Sequence, residues 1–284
     1  MSAEAVARVE AILRQSGVIA GPCEIRPLTG GYANTVLRID TSDGRILAKS
    51  FGKPMAGTLF PNLPADEAEA LRRLSGFGVA PELVGFWPEH DLLAYAYVEG
   101  APWDGDVAAV ARLLLRKEAA DAKGFRKVSL TPAEILREGD ALFARCEDGA
   151  RPPRPVPADL SPPRRWSLIH TDVGPGNLIG SGDGLRLIDW QCPAMGDACE
   201  DIYDFLSPAF QILSERTPLA APETAAFFAA LDRSDLEARY LELRPYFAWR
   251  MTAYCRLRAE RHPDAAVRER YRQAAAAEID HLAG

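Results

Sequence analysis

Apolar and polar positions alternate through much of the first hundred residues, and a helical period replaces that alternation afterwards. Thr35–Asp40 and Arg45–Phe51 alternate on either side of Ser42-Asp43-Gly44, which predicts two strands joined by a tight turn. A shorter strand over Glu24–Leu28 leads into Gly30-Gly31. In "PADEAEALRRLSGFG", Ala68, Leu71 and Leu74 recur at helical spacing, and Gly76 and Gly78 stop the helix. Two further strands are expected at Leu83–Trp87 and Leu92–Val98, with Glu99-Gly100 breaking the pattern. The opening "MSAEAVARVEAILRQSG" reads as an amphipathic helix rather than a signal peptide.

From Gly105 onward the period is helical. Ala108–Lys123, Pro132–Glu147, Glu200–Leu213, Pro222–Leu231 and Leu236–Glu260 each carry it. Arg151–Pro163 has six prolines in thirteen residues, so it is neither helix interior nor central strand. It reads as a loop delivering the chain to a strand at Trp166–His170. The pattern predicts an α+β chain with a small β-rich N-terminal lobe (1–97) and a larger helical lobe (98–284). A cleft between lobes is a common ligand site.

Composition narrows the function. The 284 residues are 48% hydrophobic and 26% charged, as in an ordinary globular protein, and no apolar run is long enough to span a bilayer. The formal charge of −7 and the lack of a basic block argue against a nucleic-acid or anionic-membrane partner. The five cysteines are scattered without CxxC spacing, so reduced thiols in a cytoplasmic protein are expected.

The densest chemistry lies in "LIHTDVGPGNLI", Leu168–Ile179, where His170, Asp172 and Asn177 sit on a Gly-Pro-Gly loop. Leu178-Ile179, a glycine-rich turn and Leu185–Asp189 then form a hairpin, which brings Asn177 near Asp189. Their oxygens are hard ligands suited to Mg²⁺. Asp172 could face the same space and accept a proton from a hydroxyl. Singly, Asp172 could cap a turn, Asn177 could brace its own loop, and His170 could be a hydrogen-bonded structural histidine.

"HTDVGPGN" followed by "LIDW" resembles the H-x-D-x-x-x-x-N and I-D-W/F pair of the aminoglycoside phosphotransferase and choline kinase-like family. The resemblance implies a protein-kinase-like fold with ATP and Mg²⁺ as cofactors. Asp172 would be the base, Asn177 and Asp189 would hold Mg²⁺, and His170 would support the loop. It also implies further parts in order. Gly30-Gly31-Tyr32-Ala33-Asn34 is similar to the family's short phosphate loop, where glycine lets backbone N–H groups approach phosphate. Lys49 in "RILAKSF" would grip phosphate oxygens. Glu67 would orient Lys49, while Glu69 would face water. The linker "AYAYVEG" would offer Ala96, Tyr97 and Val98 backbone groups to adenine, with ATP or GTP left open because the family often has Glu where Ala96 stands.

Beyond the hairpin, Asp201 matches the Asp of the family's "GDxxxDL"-like segment, implying that it holds catalytic-loop backbone groups. Asp197, Glu200 and Asp204 either line an acidic substrate cleft or favour the N-terminus of the next helix. Phe247, Trp249 and Tyr254 could cage an ammonium, whereas Arg250, Arg256 and Arg258 point towards an anion. The expected function is phosphorylation of a hydroxyl on a small-molecule acceptor: an aminoglycoside, choline or ethanolamine, thiamine or a sugar. The alternative is a nucleotide-binding pseudokinase with a regulatory role, against which the retained Lys49, Asp172, Asn177 and Asp189 speak. A helical interaction module would leave the ordered motifs unexplained.

Overall fold

The computed structural model describes residues 3–28, 34–52, 58–128, 131–149 and 151–282. Helix α1 (Ala3–Gln15) precedes an antiparallel sheet of β1 (Cys23–Leu28), β2 (Asn34–Thr41), β3 (Gly44–Phe51), β4 (Leu83–Trp87) and β5 (Leu92–Ala96), in the order β1-β2-β3-β5-β4. Helix α2 (Pro64–Leu74) lies between β3 and β4 in the chain.

Strand alternation divides the sheet's two faces. Leu37, Ile39, Ala48, Leu92 and Ala94 pack with Val9, Ile12 and Leu13 of α1. Leu47, Phe51, Leu93 and Tyr95 join Ala68, Leu71 and Leu74 of α2 in the main core. Lys49 shares the parity of Leu47 and Phe51, so the pleat alone carries it to the α2 side. Lys49 lies opposite Leu93 and Leu47 opposite Tyr95.

The rest is largely helical. It comprises α3 (Val107–Lys117), α4 (Pro132–Phe143), β6 (Ser167–Ile169), β7 (Leu178–Ile179), β8 (Arg186–Leu187), β9 (Ala194–Gly196), α5 (Ala198–Leu206), α6 (Pro208–Leu213), α7 (Ala221–Leu231), α8 (Ser234–Arg261) and α9 (Ala265–Leu282). β6 pairs with β9, and β7 pairs with β8. No helix among the described residues is long and apolar enough to cross a membrane.

Several expected boundaries move. The strand expected to reach Val98 ends at Ala96. The helix expected to reach Lys123 ends at Lys117, and Arg73 Nη1 ties down the carbonyls of Asp121 and Lys123 in the turn beyond it. The helix expected over Pro132–Glu147 stops at Phe143. The single helix expected over Glu200–Leu213 is two. Pro208 has no N–H to continue α5, and Ser207 caps α6 by accepting from Phe210 N at 3.3 Å. Helix α9 was not expected at all; its buried positions are Ala274, Ala275 and Glu278, which give almost no hydrophobic period.

Candidate active site

The loop after β6 is held in an unusual backbone conformation. Thr171 and Asp189 have φ of 65° and 63°, in the left-handed region that costs a non-glycine residue about 1–2 kcal/mol. Surrounding bonds hold Thr171 there. Asp201, buried at the start of α5, accepts from His170 N through both oxygens and from Thr171 N, each at 3.0 Å. Thr171 Oγ1 donates to the Cys192 carbonyl at 2.7 Å. His170 is fully buried, which lowers its pKa and keeps the ring neutral; its Nε2 lies 3.0 Å from the Ile188 carbonyl. Trp190 packs edge-on against that ring at 4.6 Å. His170 thereby joins the loop that bears Asp172 to the strand that leads to Asp189.

The β7–β8 hairpin then places Asn177 and Asp189. Ile188 N donates to the Asn177 carbonyl at 2.9 Å, which places Asn177 beside Asp189. Asn177 Nδ2 donates to the Asp172 carbonyl at 2.9 Å and to its Oδ2 at 3.3 Å. Burial, and next the charge of Asp189, push Asp172 up to about 8. Asp189 Oδ1 accepts from Lys49 Nζ at 2.5 Å, and Glu67 Oε2 accepts from the same ammonium at 2.7 Å. Burial opposes the charge on Lys49, but Asp189 and Glu67 outweigh it and raise its pKa above the ordinary lysine value. Glu69 is turned outward, bonded to Arg72 and Arg73.

The donor set suits Mg²⁺. With Asn177 Nδ2 committed to Asp172, no described residue donates to its Oδ1. Asp189 is about one-third exposed and keeps an oxygen beyond the one on Lys49. No cluster of three or more His, Cys, Asp or Glu able to hold a metal occurs among the described residues. Few protein ligands and open positions are what Mg²⁺ tolerates when phosphate and water complete its shell.

Other expected residues are placed differently. Gly30 and Gly31 lie outside the described residues. Asn34, expected on the phosphate side, has its amide engaged by protein. Its Nδ2 donates to Asn62 Oδ1 at 3.0 Å and Gln191 Oε1 at 2.9 Å, and its Oδ1 accepts from Asn62 Nδ2 and Gly52 N. It fastens β2 to the segment after Asp189 instead. Ala96 N is bonded to the Glu82 carbonyl and Tyr97 N to that of Arg45. Of the three linker residues, only Val98 has an N–H that no described residue accepts.

Glu200 and Asp204 border a small cavity next to Thr171, together with Glu138, Arg126, Arg250 and Phe247. Asp197 does not border it: it caps α5 by accepting from Cys199 N at 3.0 Å and pairs with Arg239 at 2.5 Å. Nor do Trp249, which packs on Phe143 at 4.6 Å and donates to Asp140, or Tyr254, whose ring meets Phe60 at 4.9 Å. Arg250 is not turned to an anionic ligand, because it pairs with Glu138 at 3.0 Å and Glu200 at 2.6 Å. Sequence reasoning missed Lys117, whose Nζ donates to the Leu168 carbonyl at 2.6 Å and pairs with Asp201 at 3.1 Å. Its signal was available: Val110, Leu113, Leu114 and Lys117 fall on one helix face, so the lysine sits in an apolar stripe.

A neutral histidine bracing a loop, an aspartate held by an asparagine, and a buried lysine between two carboxylates are thus gathered around the β7–β8 hairpin. The chain belongs to the phosphotransferase enzyme family, whose pattern matches residues 24–243. A thiamine kinase of Shigella boydii serotype 4 is 42% identical over 53 residues, which are 19% of this chain and only 16% of that enzyme's length. Among solved structures, an aminoglycoside phosphotransferase-like protein of Ralstonia eutropha JMP134 superposes with a TM-score of 0.68 at 15% identity, covering 98% of each chain. Choline kinase LicA of Streptococcus pneumoniae superposes at 0.63 with 18% identity, covering 96% of this chain and 99% of its own. A further structure of LicA, in complex with AMP, superposes at 0.59 with 18% identity over 96% of this chain and 98% of its own. The fold is thus the protein-kinase-like α+β architecture, an antiparallel sheet followed by a mainly helical part.

Proposed function

We propose that the chain transfers a phosphoryl group from Mg·ATP to a hydroxyl of a small molecule. The observation that carries this reading is that two bonded sets, Asp172 with Asn177 and Lys49 with Glu67 and Asp189, are brought together where Ile188 N bonds the Asn177 carbonyl. Asp172 orients the acceptor hydroxyl and accepts its proton. Lys49, kept charged by its two carboxylates, binds phosphate oxygens. Asn177 Oδ1 and Asp189 would hold Mg²⁺, which supplies compensation for charge on the phosphates. Two carboxylates, Asp189 and Glu67, flank one ammonium, so added positive charge beside Asp189 would meet an acceptor oxygen. His170 and Asp201 keep the loop in place, and the Val98 N–H is available to a purine. The catalysis is positioning and electrostatics rather than covalent chemistry.

We divide the chain into a nucleotide-side lobe (1–97) and an acceptor-side lobe (98–284). Supporting this, Trp103 N already bonds the Leu178 carbonyl, so the chain joins the catalytic hairpin soon after β5. A reaction that draws on Mg·ATP supports a cytoplasmic location. The AMP complex of LicA supports an adenine nucleotide. The partial thiamine kinase match puts thiamine on the acceptor panel beside choline, ethanolamine, aminoglycosides and sugars.

The test is ADP release with Mg·ATP across that panel, with Asp172→Ala as the blank. The substitution should lower turnover by about 100- to 10,000-fold, the range for a positioned general base, and leave ATP binding within a few-fold. Near-normal turnover in Asp172→Ala would refute the assignment.

A further inference from the structure

Arg126 lies between α3 and α4, outside every motif that carries the family resemblance. Its backbone is fixed by β9. Met195 N donates to the Arg126 carbonyl at 2.8 Å, Val128 N donates to the Met195 carbonyl at 3.3 Å, and Lys127 forms a parallel bridge with Met195. Residues 126–128 therefore run alongside β9, which pairs with the strand that leads into His170 and Thr171. From this backbone the guanidinium reaches the loop: Nη2 donates to the Cys192 carbonyl at 2.8 Å and to Thr171 Oγ1 at 3.3 Å. No carboxylate among the described residues pairs with it, so its bonds go to a hydroxyl and a carbonyl. Its charge also reaches Asp66 in the first turn of α2, an interaction that bears on stability and does not pass through Thr171.

Thr171 is β-branched and held at φ 65°, an outlying conformation for such a residue, and Asp172 follows it directly. Asp201 restrains its N–H. Its hydroxyl donates to the Cys192 carbonyl at 2.7 Å and accepts from Arg126. A hydroxyl engaged both as donor and as acceptor has its rotation fixed. Cys192 stands three residues past Asp189, and its thiol donates to the His170 carbonyl at 3.6 Å. One carbonyl thus joins the segment after Asp189 to the loop before Asp172, and Arg126 holds both acceptors from a neighbouring strand. Bonds from a charged donor are stronger than neutral ones.

We infer that Arg126 is a positioning residue for the proposed base. By clamping Thr171 Oγ1 against the Cys192 carbonyl, it holds Thr171 in its left-handed conformation and so sets the direction from which Asp172 meets the acceptor hydroxyl. It acts without touching nucleotide or acceptor. This rests on the phosphotransferase reading and adds a residue to it. Displacing a catalytic group by about 1 Å costs on the order of 100-fold in rate, whereas Lys49 holds phosphate from another part of the chain.

The experiment compares the full chain with Arg126→Met, Thr171→Val and the double variant, using whichever acceptor of the panel supports Asp172-dependent ADP release. Unfolding midpoints and Mg·ATP titration show which variants are folded. Arg126→Met should lower kcat at least about tenfold, with KM for Mg·ATP and for the acceptor within about twofold. In the Thr171→Val background the same substitution should cost less than about threefold, because its route to Asp172 is already cut. Arg126→Lys keeps charge and stem without the planar fork; it should show the same split at a smaller size, at least about threefold, and it carries the comparison if Arg126→Met does not fold. Amide hydrogen exchange needs no acceptor. It should quicken about tenfold at His170 and Thr171 in Arg126→Met while the amides of α1 keep their parent rates. An unchanged kcat in the folded variants, a loss confined to KM for the acceptor, losses that simply add to those of Thr171→Val, or unchanged exchange at His170 and Thr171 would each overturn the inference. Absence of acceptor-dependent ADP release in the parent, with the exchange effect intact, counts against the phosphotransferase reading alone.

Discussion

Lys117 Nζ stands 3.1 Å from Asp201 Oδ2, and both side chains are 1% exposed. Asp201 in turn receives the backbone N–H groups of His170 and Thr171. The ammonium is therefore the charge partner of the carboxylate that fixes the loop before Asp172. Removing one member of a buried pair leaves the other uncompensated, at about 3–5 kcal/mol. Lys117→Met should lower unfolding stability by that order, read by denaturant titration. Adding Asp201→Asn should recover part of the loss, because the two sites couple. A Lys117→Met loss below about 1 kcal/mol would show that the backbone donors alone suffice for Asp201.

Lys49 bridges Glu67 and Asp189 from the centre of the sheet. Lys49→Met should reduce kcat/KM for Mg·ATP by about 100-fold, comparable to losing one preorganised electrostatic donor. Asp189→Ala should raise the Mg²⁺ concentration needed for half-maximal turnover by at least about tenfold. Unchanged Mg²⁺ dependence would remove Asp189 as a ligand, whatever became of kcat.

How these residues could be read from the chain differs by element. Lys49 was legible because it interrupts the apolar stretch "RILAKSF" where the family resemblance calls for a lysine, and His170, Asp172, Asn177 and Asp189 because a short hairpin preserves their sequence order in space. Lys117, Arg126 and Gln191 meet the site across 51, 45 and 157 residues of chain, in their bonds to Leu168, Thr171 and Asn34. The helical period marks Lys117 as buried, but no local period encodes what any of the three meets. Helix α9 escaped because alanines and one buried glutamate, not large apolar residues, face the core. The substrate residues were mixed for a related reason: Asp197 and Glu200 are three apart on the same segment, yet one caps the helix and the other borders the cavity.

Asn34 joins β2 to Asn62 and to Gln191, two residues past Asp189. Asn62 is 2% exposed, so Asn34→Ala would strand a buried amide, at about 1–3 kcal/mol. Stability should fall by that amount. KM for Mg·ATP should rise with a smaller change in kcat, because the contact sets the approach of the sheet to the Asp189 segment rather than touching the acceptor. A lower kcat with unchanged KM would place Asn34's influence elsewhere.

Glu278 of α9 is fully buried beneath α5 and α6. Its Oε2 accepts from Tyr203 OH at 2.6 Å, and its Oε1 accepts from Ser207 Oγ and from Ala209 N. Burial pushes its pKa from 4.5 up to about 7, outweighing these three hydrogen bonds, which act the other way. An acid whose folded pKa is raised binds more protons folded than unfolded between those values. Its contribution is therefore fully present below pH 4.5 and is lost as pH rises through about 7. The span corresponds to a loss on the order of 3 kcal/mol. Glu278→Gln keeps the shape and cannot ionise, so its stability relative to the parent should rise between pH 5 and pH 8. Unfolding midpoints at several pH values read this directly, and parallel profiles for the two proteins would show that Glu278 does not titrate in this range.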